Sequence, residues 1–131
     1  MSRQLIAFLS ILLLQTVFGS TANRNWGAIT IKNNGAYRAK FTIDYYQNGV
    51  AKQEDSGGYP VGQARSLSIP PDATFVLIRG YADVFINSWS VVFNDAIGVP
   101  LIKCYEVSGT TLSTKWRIVD GCVFKDAEDL E

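Results

Sequence analysis

The chain has 131 residues with 12 basic and 12 acidic side chains and no histidine, so it is one small domain with a formal net charge of zero. Because the net charge is zero, the overall charge of the chain cannot attract a nucleic acid. The lack of histidine excludes Ser-His-Asp and Cys-His catalytic groups and His-containing zinc sites. Two cysteines are too few for an all-cysteine zinc site or a four-thiolate iron–sulfur cluster, whereas 47% hydrophobic residues are enough for a packed core.

The first 19 residues are typical of a secretory signal peptide. A short cationic start at residues 1–4 precedes a largely apolar run at residues 5–18, which ends in small or neutral residues. The run of about 14 residues is shorter than the roughly 20 of a membrane-spanning helix, so a membrane anchor is the less favoured alternative. Cleavage after Gly19, or alternatively after Ala22, predicts a secreted chain of about 112 residues that begins with a short N-terminal segment, residues 20–25.

Alternating apolar and polar residues predict strands along the rest of the chain. The alternation is clearest over residues 37–45, where turn residues precede and follow it. The other predicted strands cover residues 29–32, 67–69, 75–78, 89–93, 101–107 and 112–119. About seven strands and no helical stripe predict an all-β fold, a compact antiparallel β-sandwich over residues 26–122. The spacing also allows a short helical turn at residues 94–97.

Cys104 and Cys122 are expected to form a disulfide, because export brings the chain into an oxidising compartment. A bridge over this distance stabilises a small domain by roughly 3 kcal/mol in the chain-entropy model. A reactive thiol is the alternative, and the lack of a histidine to activate it disfavours that interpretation. Residues 123–131 form an acidic C-terminal tail, which is expected to be solvated.

No pattern in the chain indicates a catalytic, cofactor or metal site. The acids are scattered over turns and indicate no carboxylate pair of the glycosidase kind, and no calcium loop of the Asp-x-Asp-x-Asp-Gly kind is present. Trp26 and Trp116 are expected to pack in the core or at the edge of the sandwich. The sequence therefore predicts a protein that is not an enzyme and needs no cofactor.

Several short segments, taken in order, resemble the C-terminal domain of the thiol-activated, cholesterol-dependent cytolysins. Residues 99–101 followed by Gly-Thr-Thr-Leu at 109–112 resemble the end of that domain, and residues 35–41 resemble its Gly-Ala-Tyr-Val-Ala strand. Residues 64–70 and 75–79 resemble two further strands. The resemblance runs from residue 26 to residue 120 and implies a membrane-recognising β-sandwich that stands without the family's pore-forming domains.

The resemblance also implies that loops at one end of the sandwich face a membrane. The family's cholesterol-recognising Thr-Leu pair corresponds to Thr111 and Leu112. Its tryptophan-rich loop falls near residues 81–90, where the cysteine, the glycine, the arginine and two of the three tryptophans are missing. The residues that the resemblance places at the membrane are Ala36, Tyr37, Val61, Gly62, Gln63 and Ala64. By their apolar and interfacial chemistry, Phe85, Ile86 and Trp89 are expected to add further membrane contacts.

The leading hypothesis is thus a secreted, non-enzymatic module that binds a membrane surface and its cholesterol. In the alternative interpretation of the Thr-Leu pair, residues 109–111 are an ordinary hairpin turn and Leu112 caps the core. The alternative function is a lectin-like module that binds a glycan or a partner protein through loops around Tyr59, Tyr81 and Trp89. The near-zero charge argues against adhesion to anionic lipid by overall charge, so neutral contacts are expected.

Overall fold

The computed structural model describes residues 25–124, so the predicted signal peptide and residues 125–131 of the acidic tail lie outside the described residues. A single-turn 3₁₀ helix at Asp120–Cys122 follows the last strand. The strands are β1 (Gly27–Asn33), β2 (Ala39–Gln47), β3 (Val50–Asp55), β4 (Ala64–Ile69), β5 (Thr74–Phe85), β6 (Ser88–Gly98), β7 (Ile102–Thr110) and β8 (Ser113–Val119). They form two four-stranded sheets, β4-β1-β7-β8 and β3-β2-β5-β6, and this arrangement confirms the predicted all-β sandwich.

The sandwich differs from the prediction in three details. Its neighbouring strands are antiparallel except for β1 and β7, which are parallel. Strand β3 was not predicted, because all six of its residues are exposed and its sequence therefore has no apolar alternation. Residues 94–97 continue β6, so the helical turn that the spacing allowed is absent there.

The core lies between the two sheets and is built from alternate residues of the central strands. In β2 the predicted inward set is buried, from Ala39 through Phe41 and Ile43 to Tyr45. Each large apolar side chain buried in this way contributes roughly 1.5–3 kcal/mol. At the edge of the sandwich, Trp116 stacks on Phe93 with ring centroids 4.7 Å apart, as expected for edge packing. Trp26 is 61% exposed, so its expected place in the core or edge packing is wrong.

The predicted disulfide between Cys104 and Cys122 is confirmed. It joins β7 to the 3₁₀ turn that follows β8. In the chain-entropy model, closing this loop of 18 residues stabilises the fold by roughly 3 kcal/mol. The bridge therefore holds the end of the described chain against the sheet.

Four connections meet at one end of the sandwich, which we call the loop end. Parallel β1 and β7 both run towards it, and their antiparallel neighbours run away from it. The loop end consists of residues 34–38, 56–63, 86–87 and 111–112. The β2–β3, β4–β5 and β6–β7 connections lie at the opposite end, which we call the far end.

Asn33, the last residue of β1, is fully buried and joins two of the connections at the loop end. Its Nδ2 donates to the main-chain oxygens of Tyr37 at 2.7 Å and Tyr59 at 3.3 Å. Its Oδ1 accepts a hydrogen bond of 2.9 Å from the Gly35 N–H. A buried polar group left without its partner costs about 1–3 kcal/mol, so all three bonds favour one arrangement of these loops.

Asn33→Asp is expected to destabilise the domain in a pH-dependent way. The variant keeps the side-chain shape but places a carboxylate against two carbonyl oxygens, which raises its pKa above the unfolded value of about 3.9. Because a raised folded-state pKa means that the folded state disfavours the charged form, the loss of stability is smallest below about pH 4, grows as the pH rises through the raised folded-state pKa and is complete at neutral pH. We expect a loss of about 2–4 kcal/mol at about pH 7, measured by urea unfolding.

Asn34→Asp is the matched control for this experiment. Asn34 follows directly in the chain and is only partly buried, so the same change is expected to cost less than about 0.5 kcal/mol. If the loss in free energy of unfolding caused by Asn33→Asp did not change with pH, this would contradict the proposed packing of the carboxylate against carbonyl groups.

Candidate functional site

The β7–β8 hairpin presents Thr111 and Leu112 at its two-residue tip. Thr110 and Ser113 pair across the turn, and the Thr110 hydroxyl accepts a hydrogen bond of 3.2 Å from the Ser113 N–H. Gly109 has a φ of 81° and lies so close to the main chain of Ser113 that a side chain would collide with it, so this position requires glycine. The tip geometry therefore accounts for the glycine of the Gly-Thr-Thr-Leu pattern.

Leu112 is 97% exposed, so the alternative in which it caps the core is wrong. Thr111 is exposed beside it, and none of the hydrogen bonds within residues 25–124 uses its hydroxyl group. A hydroxyl can both donate and accept. The tip thus offers one apolar side chain and one polar group to a ligand.

The β5–β6 hairpin presents a second apolar tip, in which Phe85 is 75% and Ile86 is 82% exposed. The Asp83 carboxylate holds the turn by accepting hydrogen bonds from the main-chain N–H groups of Asn87 at 3.0 Å and Ser88 at 3.2 Å. The expected long loop at residues 81–90 is wrong, because these residues form paired strands around a two-residue turn.

The turn between β5 and β6 places a β-branched residue in an unfavourable conformation. Ile86 and Asn87 have positive φ values of 21° and 60°. A two-residue turn with two positive φ values favours asparagine or glycine, and a β-branched residue there costs on the order of 1–3 kcal/mol. The chain therefore keeps an exposed apolar side chain at this tip against its local conformational preference.

The β1–β2 and β3–β4 connections are bound to β1 and β7 through the main chain. The Gly62 N–H donates to the Asn33 oxygen at 2.6 Å, and the Ala36 N–H donates to the Gly109 oxygen at 2.9 Å. Val61 is 59% exposed between these contacts. The predicted residues that are exposed in these two connections or at their edge are Ala36, Val61, Gly62, Gln63 and Ala64.

Of the residues assigned to the membrane contact, Tyr37 is buried, which corrects its assignment, and Trp89 is only partly exposed. Tyr37 is buried, its hydroxyl donates to the Ser108 oxygen at 2.7 Å, and burial raises the pKa of its phenol to about 12. Trp89 is half-buried in β6, where the Lys40 ammonium lies 4.9 Å from its ring centroid. The Tyr37 ring therefore packs inside the loop end, whereas the Trp89 ring lies beside Lys40 on the outer face of its sheet.

The aromatic residues of the expected glycan site are not open either. Tyr59 is fully buried, and its hydroxyl donates to the Ile31 oxygen at 2.8 Å. Lys40 lies over the rings of both Tyr81 and Trp89, at 5.4 and 4.9 Å from their centroids. The Tyr59 ring is therefore closed to a sugar, and the Tyr81 and Trp89 rings already contact a cation.

Arg38 and Asp83 are contributors to the loop end that sequence reasoning missed. The Asp83 N–H donates to the Arg38 oxygen at 2.9 Å, and their side chains lie 4.0 Å apart. Together they tie the β5–β6 hairpin to the start of β2. An aspartate just before a turn is a recognisable signal for capping by its carboxylate, but the residue facing it across the sheet is set by strand register alone.

The structure thus brings the exposed predicted residues to one end, on four connected loops. Among residues 25–124, no group of three or more His, Cys, Asp or Glu side chains could hold a metal ion. No helix in the same part of the chain combines the length and apolar character needed to cross a membrane.

The fold is similar to solved structures of bacterial cytolysins. The membrane-binding domain of pneumolysin matches with a TM-score of 0.58 at 15% identity, over 78% of this chain and 100% of that one. Listeriolysin O and suilysin from Streptococcus suis match with TM-scores of 0.56 and 0.55, both at 18% identity over 73% of this chain. The chain spans only 22% and 23% of these two proteins.

By sequence, no curated protein matches the chain at a significant level. The family of thiol-activated cytolysin β-sandwich domains, however, matches residues 28–115, which include all of the strands except the first residue of β1 and the end of β8. The two-sheet arrangement agrees with the same assignment. The chain therefore belongs to the thiol-activated cytolysin β-sandwich domain family.

Proposed function

We propose that the chain is a membrane-binding module that acts through its loop end, with Thr111 and Leu112 contacting cholesterol. The observation that carries this proposal is the almost complete exposure of Leu112, at 97%, at the tip of the β7–β8 hairpin. Phe85, Ile86 and Val61 are exposed at the same end of the sandwich. Clusters of exposed apolar side chains on a small soluble domain mark interaction sites.

The chemistry of the β7–β8 tip suits a sterol. A sterol presents one hydroxyl group on a rigid apolar ring system. The Thr111 hydroxyl is available to bond that group, and moving Leu112 out of water contributes roughly 1.5–3 kcal/mol. Two-residue tips reach only a short way, so we propose shallow insertion of about 5–10 Å at the headgroup boundary.

The similarity to the membrane-binding domain of pneumolysin supports a membrane as the ligand. The chain spans less than a quarter of the suilysin and listeriolysin O chains. We propose that it recognises a membrane without catalysing a reaction and without a cofactor. A glycan or partner protein is the alternative ligand, with less support because Lys40 covers the aromatic rings that would bind a sugar.

Leu112→Asp is expected to weaken binding to cholesterol-containing phosphatidylcholine vesicles by about thirtyfold, which is roughly 2 kcal/mol. The reason is that a charged side chain replaces the apolar one at the tip. Binding is measured by co-sedimentation over a range of lipid concentrations. Ile102→Asp is the matched control, because Ile102 is 75% exposed on β7 but lies towards the far end.

Thr111→Val separates sterol recognition from general apolar contact. The variant keeps the shape of the side chain and removes only its hydroxyl, so binding is expected to fall about fivefold on cholesterol vesicles and to stay unchanged on sterol-free vesicles. Wild-type levels of binding by both Leu112→Asp and Thr111→Val would refute the proposed function.

Ile86→Asn is expected to make the domain more stable and a weaker membrane binder. Asparagine accepts the positive φ of the turn, so the free energy of unfolding should rise by about 0.5–1 kcal/mol. Losing the apolar side chain should weaken vesicle binding about tenfold. Val50→Asn, at an exposed position next to the β2–β3 turn of the far end, should leave binding unchanged. A variant that binds as well as the wild type would show that Ile86 does not touch lipid.

We also propose that the chain is secreted. The support is the sequence of residues 1–19 together with the disulfide, which forms in oxidising compartments. N-terminal sequencing of the exported protein is expected to begin at Ser20, or at Asn23 if cleavage follows Ala22. Recovery of an intact Met1 terminus from the medium would contradict removal of a signal peptide.

A further inference from the structure

Both ends of the sandwich expose apolar side chains. The loop end exposes Leu112 and Ile86, whereas Phe75 and Ile102 lie towards the far end and are 77% and 75% exposed. Apolar exposure therefore does not by itself decide which end approaches a bilayer. The charged residues, in contrast, differ between the two ends.

Strand register divides the charges of residues 25–124 unevenly. We divide the domain into two halves at one residue pair in each sheet, Ile31–Arg65 in one and Thr42–Arg79 in the other. The loop-end half contains these pairs and all residues between them and the loop end. The basic side chains of this half are Lys32, Arg38, Lys40, Arg65, Arg79, Lys115 and Arg117, and the acidic ones are Asp55, Asp83 and Glu106.

The remaining half has the opposite balance. Its basic side chains are Lys52 and Lys103, and its acidic ones are Asp44, Glu54, Asp72, Asp95 and Asp120. A domain with almost no net charge thus has a positive loop end and a negative far end. The near-zero net charge argued against binding to anionic lipid. The separation of the charges gives the loop end a local positive charge that the net charge does not reveal.

Two of the cations stand directly behind the apolar tips. Arg38 lies opposite Asp83, two residues from Phe85, and Lys115 pairs with Ser108, two residues from Ser113 at the other tip. At about 3.3 Å per residue, each cation is about 7 Å behind its tip. The headgroup layer of one leaflet is about 5–8 Å thick, so tips that reach the hydrocarbon would bring both cations to the level of the lipid phosphates.

Close ion pairs are scarce around the cations nearest the loop end. Among the described residues, no carboxylate lies within 4.0 Å of Lys115 or Arg65. Arg38 has only the 4.0 Å contact with Asp83, and its side chain is 53% exposed. Arg65 donates to the Ser56 oxygen at 3.0 Å within the β3–β4 connection. We name Arg38, Arg65 and Lys115 the cationic collar.

We propose that the cationic collar binds the phosphate-bearing headgroups of anionic lipids while the apolar tips enter the bilayer. The inference rests on the proposed membrane-binding function and adds a second class of lipid to it. The separated charges orient the domain with its loop end towards a negative surface and its acidic far end away from it. Each Lys or Arg near such a surface raises the affinity about fivefold.

The test compares two exposed lysines at opposite ends. Lys115 and Lys52 are both exposed on edge strands, and Lys115→Gln and Lys52→Gln change the net charge equally. On phosphatidylcholine–cholesterol vesicles that also contain about 30 mol % phosphatidylserine, Lys115→Gln is expected to bind about fivefold more weakly than the wild type. Lys52→Gln is expected to bind like the wild type, and neither change should affect binding to neutral phosphatidylcholine–cholesterol vesicles.

Salt provides a second readout. Raising NaCl from about 0.05 to about 0.5 M should remove the gain from phosphatidylserine and leave binding to neutral vesicles intact, because only the charge interaction is screened. Inorganic phosphate at constant ionic strength should not compete. Competition by phosphate would assign the collar to a free phosphate ligand and overturn its assignment to lipid.

The two proposals fail in different ways. If phosphatidylserine brings no gain, or if Lys115→Gln and Lys52→Gln behave alike, while binding to neutral vesicles still depends on Leu112, the collar is overturned and the proposed function stands. If binding to neutral vesicles no longer depends on Leu112 while the gain from phosphatidylserine still depends on Lys115, the proposed function is overturned.

Discussion

The geometry of the loop end depends on the fully buried side chain of Asn33, which satisfies all of its polar atoms with main-chain groups of two different connections. A buried amide that loses these partners is costly, so the β1–β2 and β3–β4 connections are held in one arrangement. The Ala36 N–H then bonds to the Gly109 oxygen, and this contact extends the same network to the β7–β8 hairpin. A rigid platform results, from which short tips can project.

The loop end separates the residues that hold it from the residues that it exposes. Tyr37, Tyr59 and Trp89, the aromatic residues most readily assigned to a ligand, are buried or half-buried and pack behind the tips. The side chains left in water are the aliphatic ones and Phe85, at turns where folding alone favours polar residues or glycine. Ile86 shows the conflict directly, because its positive φ opposes its β-branched side chain. Such a conflict is common where a surface is shaped for binding.

Charge adds a direction to this surface. The summed charge of the two sheets is close to zero. Because of the strand register, however, most basic side chains lie near the loop end and most acidic ones near the far end. Apolar tips alone would not distinguish the loop end from the far end, where Phe75 and Ile102 are also exposed. Apolar tips with cations about 7 Å behind them match the layered structure of a lipid surface, with hydrocarbon below and phosphate above.

By itself the sequence determined the fold class, the inward-facing residues of β1 and β2, and the pairing of Cys104 with Cys122, because alternation, turn residues and an even cysteine count depend only on local order along the chain. The family resemblance of its Gly-Thr-Thr-Leu pattern also pointed to Thr111 and Leu112. It could not show the exposed strand β3, which has no alternation, or the replacement of a long loop by the tight turn at Ile86. Only the tertiary structure decided that Leu112 faces water, that Tyr37 is buried, and that Arg38 and Lys115 stand behind the tips. Those properties depend on which strands pair and in which register, and a register is set by contacts between residues far apart in the chain.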